Sequence, residues 1–304
     1  MRGTSLEDGY SYIVSMWFRL QFLDDGVVPG CSAKLVKTLC YLVPQLEIVR
    51  KLYDSRDRIK PFSVTPLMKI EGGSQRVLMS SRSWRARRGD EFVFRISVAV
   101  RDLDELSQLQ GVDEVVSPRP GTKVRIVSDR FEILSPDALR MDLEPYSIVR
   151  IRFLTPTLLS SKLMAPPLPQ FLSKVRNVRS RYVLYPSSAH ICCYLTKLWN
   201  KLFPQMPVSR KLTEEWSAYF MGRLCEVTMV TMDLGVKPVT LSYDVRRKVR
   251  GFVGWALYEL CLESRKVLEK VGRLLALANV MGVGKTRSMG FGMVEVEKVP
   301  RREE

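Results

Sequence analysis

Histidine is almost missing from this chain: its 304 residues contain one, His190. The side chain most often used for acid–base work near neutral pH is therefore unavailable to almost every candidate site, and so are imidazole-based metal centres. His190 lies in SSAHICCYL among apolar neighbours and reads as a packed residue, not a general base. Cysteine pairing is missing too. Cys31, Cys40, Cys192, Cys193, Cys225 and Cys261 include no C-x-x-C pair, and the adjacent Cys192 and Cys193 cannot readily bridge each other. They read as buried thiols, with no metal site and no cofactor expected. No stretch approaches the roughly 18 uninterrupted apolar residues of a membrane span. The opening MRGTSLEDGY lacks the apolar core of a secretory signal, so a cytoplasmic protein with no membrane partner is expected.

Acidic residues are outnumbered. Lys plus Arg total 48 against 32 Asp plus Glu, a net charge of +16. Such an excess is what a polyanion neutralises, and nucleic acid is the first candidate partner. An acidic membrane surface fits less well, because the cations do not gather on one amphipathic helix beside an aromatic stripe. Hydrophobic residues make up 46% of the chain, enough for real cores, and the length suggests two domains.

The pattern along the chain supports two. YSYIVSMWFRLQF (Tyr10 to Phe22) is aromatic and β-branched and reads as a strand. A turn follows at Gly26 to Gly30, then a helix with Ser32 as N-cap and Leu35, Val36, Leu39, Leu42 and Val43 at helical spacing up to Pro44. A strand from Phe62 to Ile70, a basic loop and the alternating EFVFRISVAV (Glu91 to Val100) come next. A short helix at Leu103 to Gln110 and a strand from Thr122 to Ile133 complete a β-α-β-β-α-β order. The pattern then restarts. SIVRIRFLTPTLL reads as a strand, Ala189 to Leu202 and Leu212 to Leu224 as helices, Lys237 to Tyr243 and Arg250 to Glu259 as strands. A helix from Leu262 to Val280 and a last strand from Met293 to Glu297 follow. The expected architecture is α+β: two tandem ferredoxin-like (βαββαβ) modules, residues 1–143 and 144–304, with a glycine-rich loop near the C-terminus. The run Ala165-Pro166-Pro167-Leu168-Pro169 reads as a stiff connector inside the second module.

That loop, GVGKTRSMGFG, places Gly282, Gly284, Gly290 and Gly292 around Lys285, Thr286 and Arg287. Glycine permits positive φ and close approach, and successive N–H groups in such a loop can cradle an anion. Gly284-Lys285-Thr286 has the spelling that ends a nucleotide-triphosphate loop. The first glycine of that pattern would fall at Asn279, and the helix precedes the loop instead of following it, so an ATP-dependent protein is the weaker alternative.

Two modules closed by a helix, a glycine-rich loop and a last strand resemble the CRISPR repeat-processing endoribonucleases, within the repeat-associated superfamily of RNA-binding proteins. SAKLVKTL, SRDRIKPFSVTPL, FLTPTLLSSKLMAPP and VRRKVRGFVGW occur in that family's order and look most like its crenarchaeal members. The resemblance implies a metal-independent enzyme that cuts CRISPR precursor RNA within repeats. The ribose 2′-OH would be the nucleophile, leaving a 2′,3′-cyclic phosphate and a 5′-OH. Many members place a histidine near the first helix; this chain has none there and instead resembles members with a lysine-rich site. Lys37 is then the leading acid/base or transition-state group, Arg247 its electrostatic partner, and Lys34 and Lys60 supporting cations. A lysine charged at neutral pH donates a proton or stabilises an oxyanion, and acts as a base only where neighbouring cations or burial depress its pKa.

RNA contacts outside the cut are expected from Arg82, Arg85, Arg87 and Arg88 in the basic loop, from Lys285, Arg287 and the four glycines, and from Arg250. Trp84 would either stack on a base or cover the sheet edge. The expected partner is CRISPR repeat RNA, with possible association with a CRISPR effector complex; the protein itself is expected to be a monomer or homodimer. A non-catalytic RNA-binding subunit of such a complex is the main competing reading.

Overall fold

The computed structural model describes residues 9–57, 59–71, 74–102, 104–107, 111–179, 181–243 and 248–300. The first half runs β1 (Tyr12–Phe22), β2 (Gly26–Val28), α1 (Ala33–Leu42), α2 (Glu47–Asp54), β3 (Phe62–Val64), β4 (Met68–Glu71), β5 (Ser74–Val77), β6 (Trp84–Ala86), β7 (Glu91–Val100), α3 (Asp104–Ser107), β8 (Asp113–Arg119) and β9 (Thr122–Leu134). The second runs β10 (Ile148–Thr157), β11 (Leu159–Ser160), α4 (Pro169–Arg176), β12 (Tyr182–Val183), α5 (Ser188–Leu202), α6 (Glu214–Thr228), β13 (Met229–Ser242), β14 (Lys248–Leu260), α7 (Arg265–Met281) and β15 (Val294–Val299).

The first sheet has the order β5-β4-β7-β1-β9-β8, with β3 also on β7, and the second has β13-β14-β10-β15. The two share one logic. The opening strand of each half is central: β1 lies between β7 and the last strand β9, and β10 lies between β14 and the last strand β15, all antiparallel. Alternation explains which face is covered. Val14, Met16, Phe18, Leu20 and Phe22 point every second residue of β1 into a core shared with Leu35, Val36, Leu39 and Cys40 of α1. Trp17, Arg19 and Gln21 take the opposite face. In the second half Val149, Ile151 and Phe153 of β10 share a core with Leu195, Leu198 and Trp199 of α5 and Leu274, Leu275 and Ala278 of α7.

The structure departs from several sequence expectations. The strand expected over Phe62 to Ile70 is broken into β3 and β4 around Pro66, which cannot donate to a ladder. The turn at Gly26 to Gly30 contains β2, paired with β6. Ser32 does not cap α1 with its side chain: its hydroxyl donates to Leu78 O (2.6 Å) and accepts from Leu67 N (2.9 Å), anchoring the helix start to the sheet. The helix expected over Leu103 to Gln110 is described at Asp104–Ser107, and Leu103 and Gln108 to Gln110 lie outside the described residues. β13 starts at Met229, well before the expected Lys237. The proline-rich connector leads straight into α4, whose first residue is Pro169, where the missing N–H costs nothing. No helix among the described residues is long and apolar enough to cross a membrane.

The halves are not separate bodies joined by a string. Leu158 and Phe291 of the second half are buried in the first core, and Leu241, Tyr243 and Val249 at the end of the β13–β14 hairpin pack against it. Ile13, Ala99 and Leu139 of the first half enter the second core in return.

The glycine loop closes this joint. Gly292 has φ 69°, and a Cβ there would sit 1.9 Å from Val283 O, which is backbone and cannot yield. Gly292→Ala should therefore destabilise the fold by more than ~2 kcal/mol and lower the thermal midpoint by roughly 5 °C or more. A calorimetric scan that matches wild type would contradict this packing.

Candidate active site

Lys34 and Lys37 stand one turn apart on α1, both half-buried. Each ammonium lies over an aromatic face: Lys34 Nζ is 4.5 Å from the Tyr243 ring centre, and Lys37 Nζ is 5.2 Å from that of Tyr53 and 5.7 Å from that of Tyr41. Ring quadrupoles attract the charge without neutralising it, so the donors stay available to an anion. Neither lysine has a carboxylate partner among the described residues, whereas Lys51 on the next helix pairs with Glu47 at 3.2 Å. The platform combines elements that are distant in sequence, since Tyr53 comes from α2 and Tyr243 follows β13 in the second half.

Tyr53 is the hub. Its hydroxyl donates to Ser288 O in the glycine loop (2.8 Å), and its ring packs edge-on against Phe62 at 4.7 Å. Burial, with the neighbouring Cys40 and Tyr243 adding to it, pushes the phenol well above its ordinary pKa, so the hydroxyl remains a donor. Lys60 reaches the same residue from the other side. Its ammonium donates to Leu52 O (3.1 Å), Tyr53 O (3.2 Å), Ser55 Oγ (3.0 Å) and Ser55 O, binding the last carbonyls of α2. In this arrangement Lys60 supports Tyr53 and holds the end of a helix. Lys60, expected as a supporting cation, thus has its ammonium engaged by the end of α2.

The glycine loop also differs from expectation. A Cβ at Gly282 would meet Gly292 O at 2.6 Å, one at Gly284 would meet Leu158 O at 2.6 Å, and one at Gly290 would meet Ala33 Cβ at 2.5 Å. All four glycines, Gly292 included, press against the protein's own atoms. Much of the loop's N–H complement is spent internally too: Val283 N donates to Gly292 O, Lys285 N to Leu158 O and Gly292 N to Pro156 O. The expected phosphate cradle of Gly282, Gly284, Gly290 and Gly292 is thus a packing device that seats the loop beneath Ala33, next to Lys34. The helix before it and the strand after it reverse the order of a nucleotide-triphosphate loop.

Arg287 is corrected as well. It does not project from the loop but is 4% exposed. Its guanidinium donates to Tyr194 Oη (2.7 Å), Met281 O (2.9 Å) and Lys60 O (2.8 Å). Lys285, two residues earlier, is exposed, with its ammonium 5.9 Å from the Tyr182 ring centre.

The remaining sequence candidates spread outward. Arg82, Arg85, Arg87 and Arg88 are exposed on and around β6. The segment before them is fastened to the start of α1, since Ser80 N donates to Gly30 O (2.9 Å) and Cys31 forms an isolated β-bridge with Met79. Trp84 packs edge-on against Phe92 at 5.2 Å and covers the sheet. Arg250 is exposed on β14 opposite Thr240. Arg247 lies outside the described residues. His190 sits in the first turn of α5 with Nδ1 2.9 Å from Ser187 Oγ, and burial lowers its pKa. Among the described residues no three His, Cys, Asp or Glu side chains gather as metal ligands would. The tyrosines that hold the lysines have no counterpart among the sequence candidates; Tyr53 shares its helix with the charged EIVRK run and carries no local sign of its contact with the loop.

A basic α/β protein of two similar halves, with a lysine pair at their joint that has no carboxylate partner among the described residues, belongs to the broad class of proteins suited to a polyanion. Comparison supplies the family. Residues 151–294 match the family model for CRISPR-associated endoribonuclease Cas6, and residues 14–134 match that for the Cas6 N-terminal domain. The chain belongs to the Cas6 family of CRISPR repeat-processing endoribonucleases. It is similar to CRISPR-associated endoribonuclease Cas6 1 of Saccharolobus solfataricus, at 26% identity across 92% of this chain and 95% of that one. Cas6 2 of the same organism is also 26% identical, over 90% of this chain and 92% of the relative. Among solved structures, Thermus thermophilus Cas6 superposes with a TM-score of 0.61 at 19% identity, covering 94% of this chain and 99% of that one, a likeness of fold.

Lys285 and Arg287 differ in what their removal should do. Arg287→Ala strands a buried hydroxyl and two carbonyls and should cost about 3 kcal/mol of stability. Lys285→Ala should stay within ~0.5 kcal/mol of wild type. Denaturant titration of both variants checks this; equal midpoints would mean that the Arg287 network carries no weight.

Proposed function

We propose that this protein is a metal-independent endoribonuclease that cleaves CRISPR precursor RNA within its repeats by attack of the 2′-OH on the adjacent phosphate. The products are a 2′,3′-cyclic phosphate and a 5′-OH, and mature guide RNAs result. Family membership supports the substrate class. The observation that carries the chemistry is the pair Lys34 and Lys37, held over tyrosine rings with no carboxylate to neutralise them among the described residues. An ammonium placed so can stabilise the charge that builds on the phosphorane-like transition state and can protonate the departing 5′ oxygen. Lys37 takes that role, with Lys34 beside it, Lys60 acting through Tyr53, and Arg247 contributing a further cation. Arg82, Arg85, Arg87, Arg88, Arg250 and Lys285 bind the repeat backbone. The two halves are read as tandem ferredoxin-like modules meeting near residues 143–144, a reading supported by their shared element order and strand order.

Cleavage should continue in EDTA and stop when the nucleotide just upstream of the cut carries a 2′-deoxyribose. Lys37→Ala and Arg247→Ala should each slow saturating single-turnover cleavage by roughly ten- to a thousandfold while affinity changes only a few-fold. His190→Ala should be near neutral. Cleavage of the 2′-deoxy RNA, or abolished cleavage in His190→Ala alone, would overturn the mechanism.

Replacing Arg85, Arg87 and Arg88 together should weaken RNA binding and flatten its salt dependence, by about 0.7 in logarithmic slope for each single-strand phosphate that is no longer neutralised. Titrations at several salt concentrations measure this. An unchanged slope would place that loop away from the RNA.

A further inference from the structure

Behind the lysine platform a cavity of about 450 Å³ opens where the two halves meet. One wall comes from the first half, at Ile59 and Lys60, and the rest from the second half, at Leu163, at Tyr194 and Lys197 of α5, and at the glycine loop from Lys285 to Ser288. Its charge is one-sided. Lys60, Lys197, Lys285 and Arg287 line it, and none of the lining residues is acidic. Two of these cations are already committed, Lys60 to the end of α2 and Arg287 to Tyr194, Met281 and the Lys60 carbonyl. Those bonds satisfy hydrogens but leave the charge uncompensated, because no partner is a carboxylate. The other two, Lys197 and Lys285, have no ion-pair partner among the described residues. Lys201, one turn beyond Lys197 on the same helix, shows the contrast by pairing with Asp57 at 3.5 Å.

Low-dielectric walls focus such a field into the cavity, so the occupant should carry negative charge. The walls also say that it is not a bare anion. Ile59, Leu163 and the Tyr194 ring are apolar surfaces that phosphate alone would leave uncovered. The Tyr194 hydroxyl accepts from Arg287 Nε and keeps its own proton to donate, and the Ser288 hydroxyl has no hydrogen-bond partner among the described residues. Apolar faces, a few convergent polar groups and two uncommitted ammoniums match a nucleotide: a flat base against the aliphatic and aromatic wall, and a phosphate between Lys197 and Lys285.

We propose that this cavity takes one unpaired nucleotide of the bound RNA, splayed out of the strand, with Lys197 and Lys285 on its phosphate. The proposal rests on the reading of the protein as a repeat-cleaving endoribonuclease and adds a subsite to it. Because Ser288 O is also the acceptor of the Tyr53 hydroxyl, the occupant would touch the same loop that steadies the platform for Lys37. One anchored nucleotide would then set which phosphate of the strand faces that platform.

The test measures affinity for repeat RNA, intact and with an abasic residue at each position in turn, using the full chain as wild type, Lys197→Ala, Lys197→Arg and Leu163→Trp, with thermal scans confirming folding. Lys197→Ala should weaken binding several-fold and reduce the salt slope by about 0.7, and Lys197→Arg should restore both. One abasic position should weaken wild-type binding by roughly tenfold, as removal of a stacked base does. The same position should cost the cavity-filled Leu163→Trp nothing further. Should Leu163→Trp fail to fold, the Lys197 slope and the wild-type abasic scan decide alone. An unchanged slope in Lys197→Ala, or a scan with no singular position, overturns the proposal. Wild-type cleavage of intact repeat RNA separates the two levels. Normal cleavage with a flat scan removes only the nucleotide subsite, whereas no cleavage removes the endoribonuclease reading and the subsite with it.

Discussion

The buried guanidinium of Arg287 is the constraint on which the arrangement depends. It joins the end of α7, the middle of α5 and the backbone of the first half at Lys60. A planar five-donor fork holds three such partners in fixed directions, which sets the elements relative to one another. Through it the glycine loop is tied to all three of these places. Gly282, Gly284 and Gly292 let the loop lie against neighbouring backbone, and Gly290 lets it lie against Ala33. Everything at the candidate active site follows from this seat. Ser288 O meets Tyr53, Tyr53 supports Lys37, and Phe291 is buried in the first core beside Tyr243, which supports Lys34.

Net charge alone says little about where a polyanion would bind, because many of the cations are spent. On the uncovered sheet faces Arg150 pairs with Glu297 at 3.0 Å, Arg152 with Glu295 at 2.8 Å and Arg125 with Asp113 at 2.7 Å. These are exposed pairs that contribute little stability, but they cancel the field locally. At the joint of the halves Lys201 still pairs with Asp57, but four other lysines have no such partner among the described residues. Lys34, Lys37, Lys197 and Lys285 stand on aromatic faces or around a cavity, with no carboxylate paired to them among the described residues. Part of the uncompensated positive charge of the molecule therefore sits on the elements that the glycine loop holds together.

Local signals mark most of the long elements. β10, α1 and α7 carry periods of 2 or 3.6 because each buries mainly one face, whereas α5 is buried on nearly all sides and is marked by its apolar content. β13 is legible only from Lys237 onward, since as an edge strand it is exposed along most of its length and its first half alternates poorly. α2 follows Pro44 closely and β2 pairs with β6 far along the chain, so neither carries a sufficient local mark. The lysines of α1 can be named from the sequence, but their aromatic supports cannot, because Tyr53 and Tyr243 reach them only through long-range packing.

Composition and short-range spacing are enough to fix the two-part α/β order, the basic excess, the scarcity of histidine and the positions where the backbone needs glycine. Which way the loop's residues face is settled by long-range packing alone. Lys285 and Arg287 carry the same charge two positions apart, yet one meets solvent and the other is sealed between the halves. Their sequence neighbourhood is shared, so the difference comes from the partners waiting on either side: a tyrosine hydroxyl and two carbonyls for Arg287, open space for Lys285. The same holds for the glycines, whose capacity for positive φ is visible in the residue type, while the surface they press against is set by the rest of the fold.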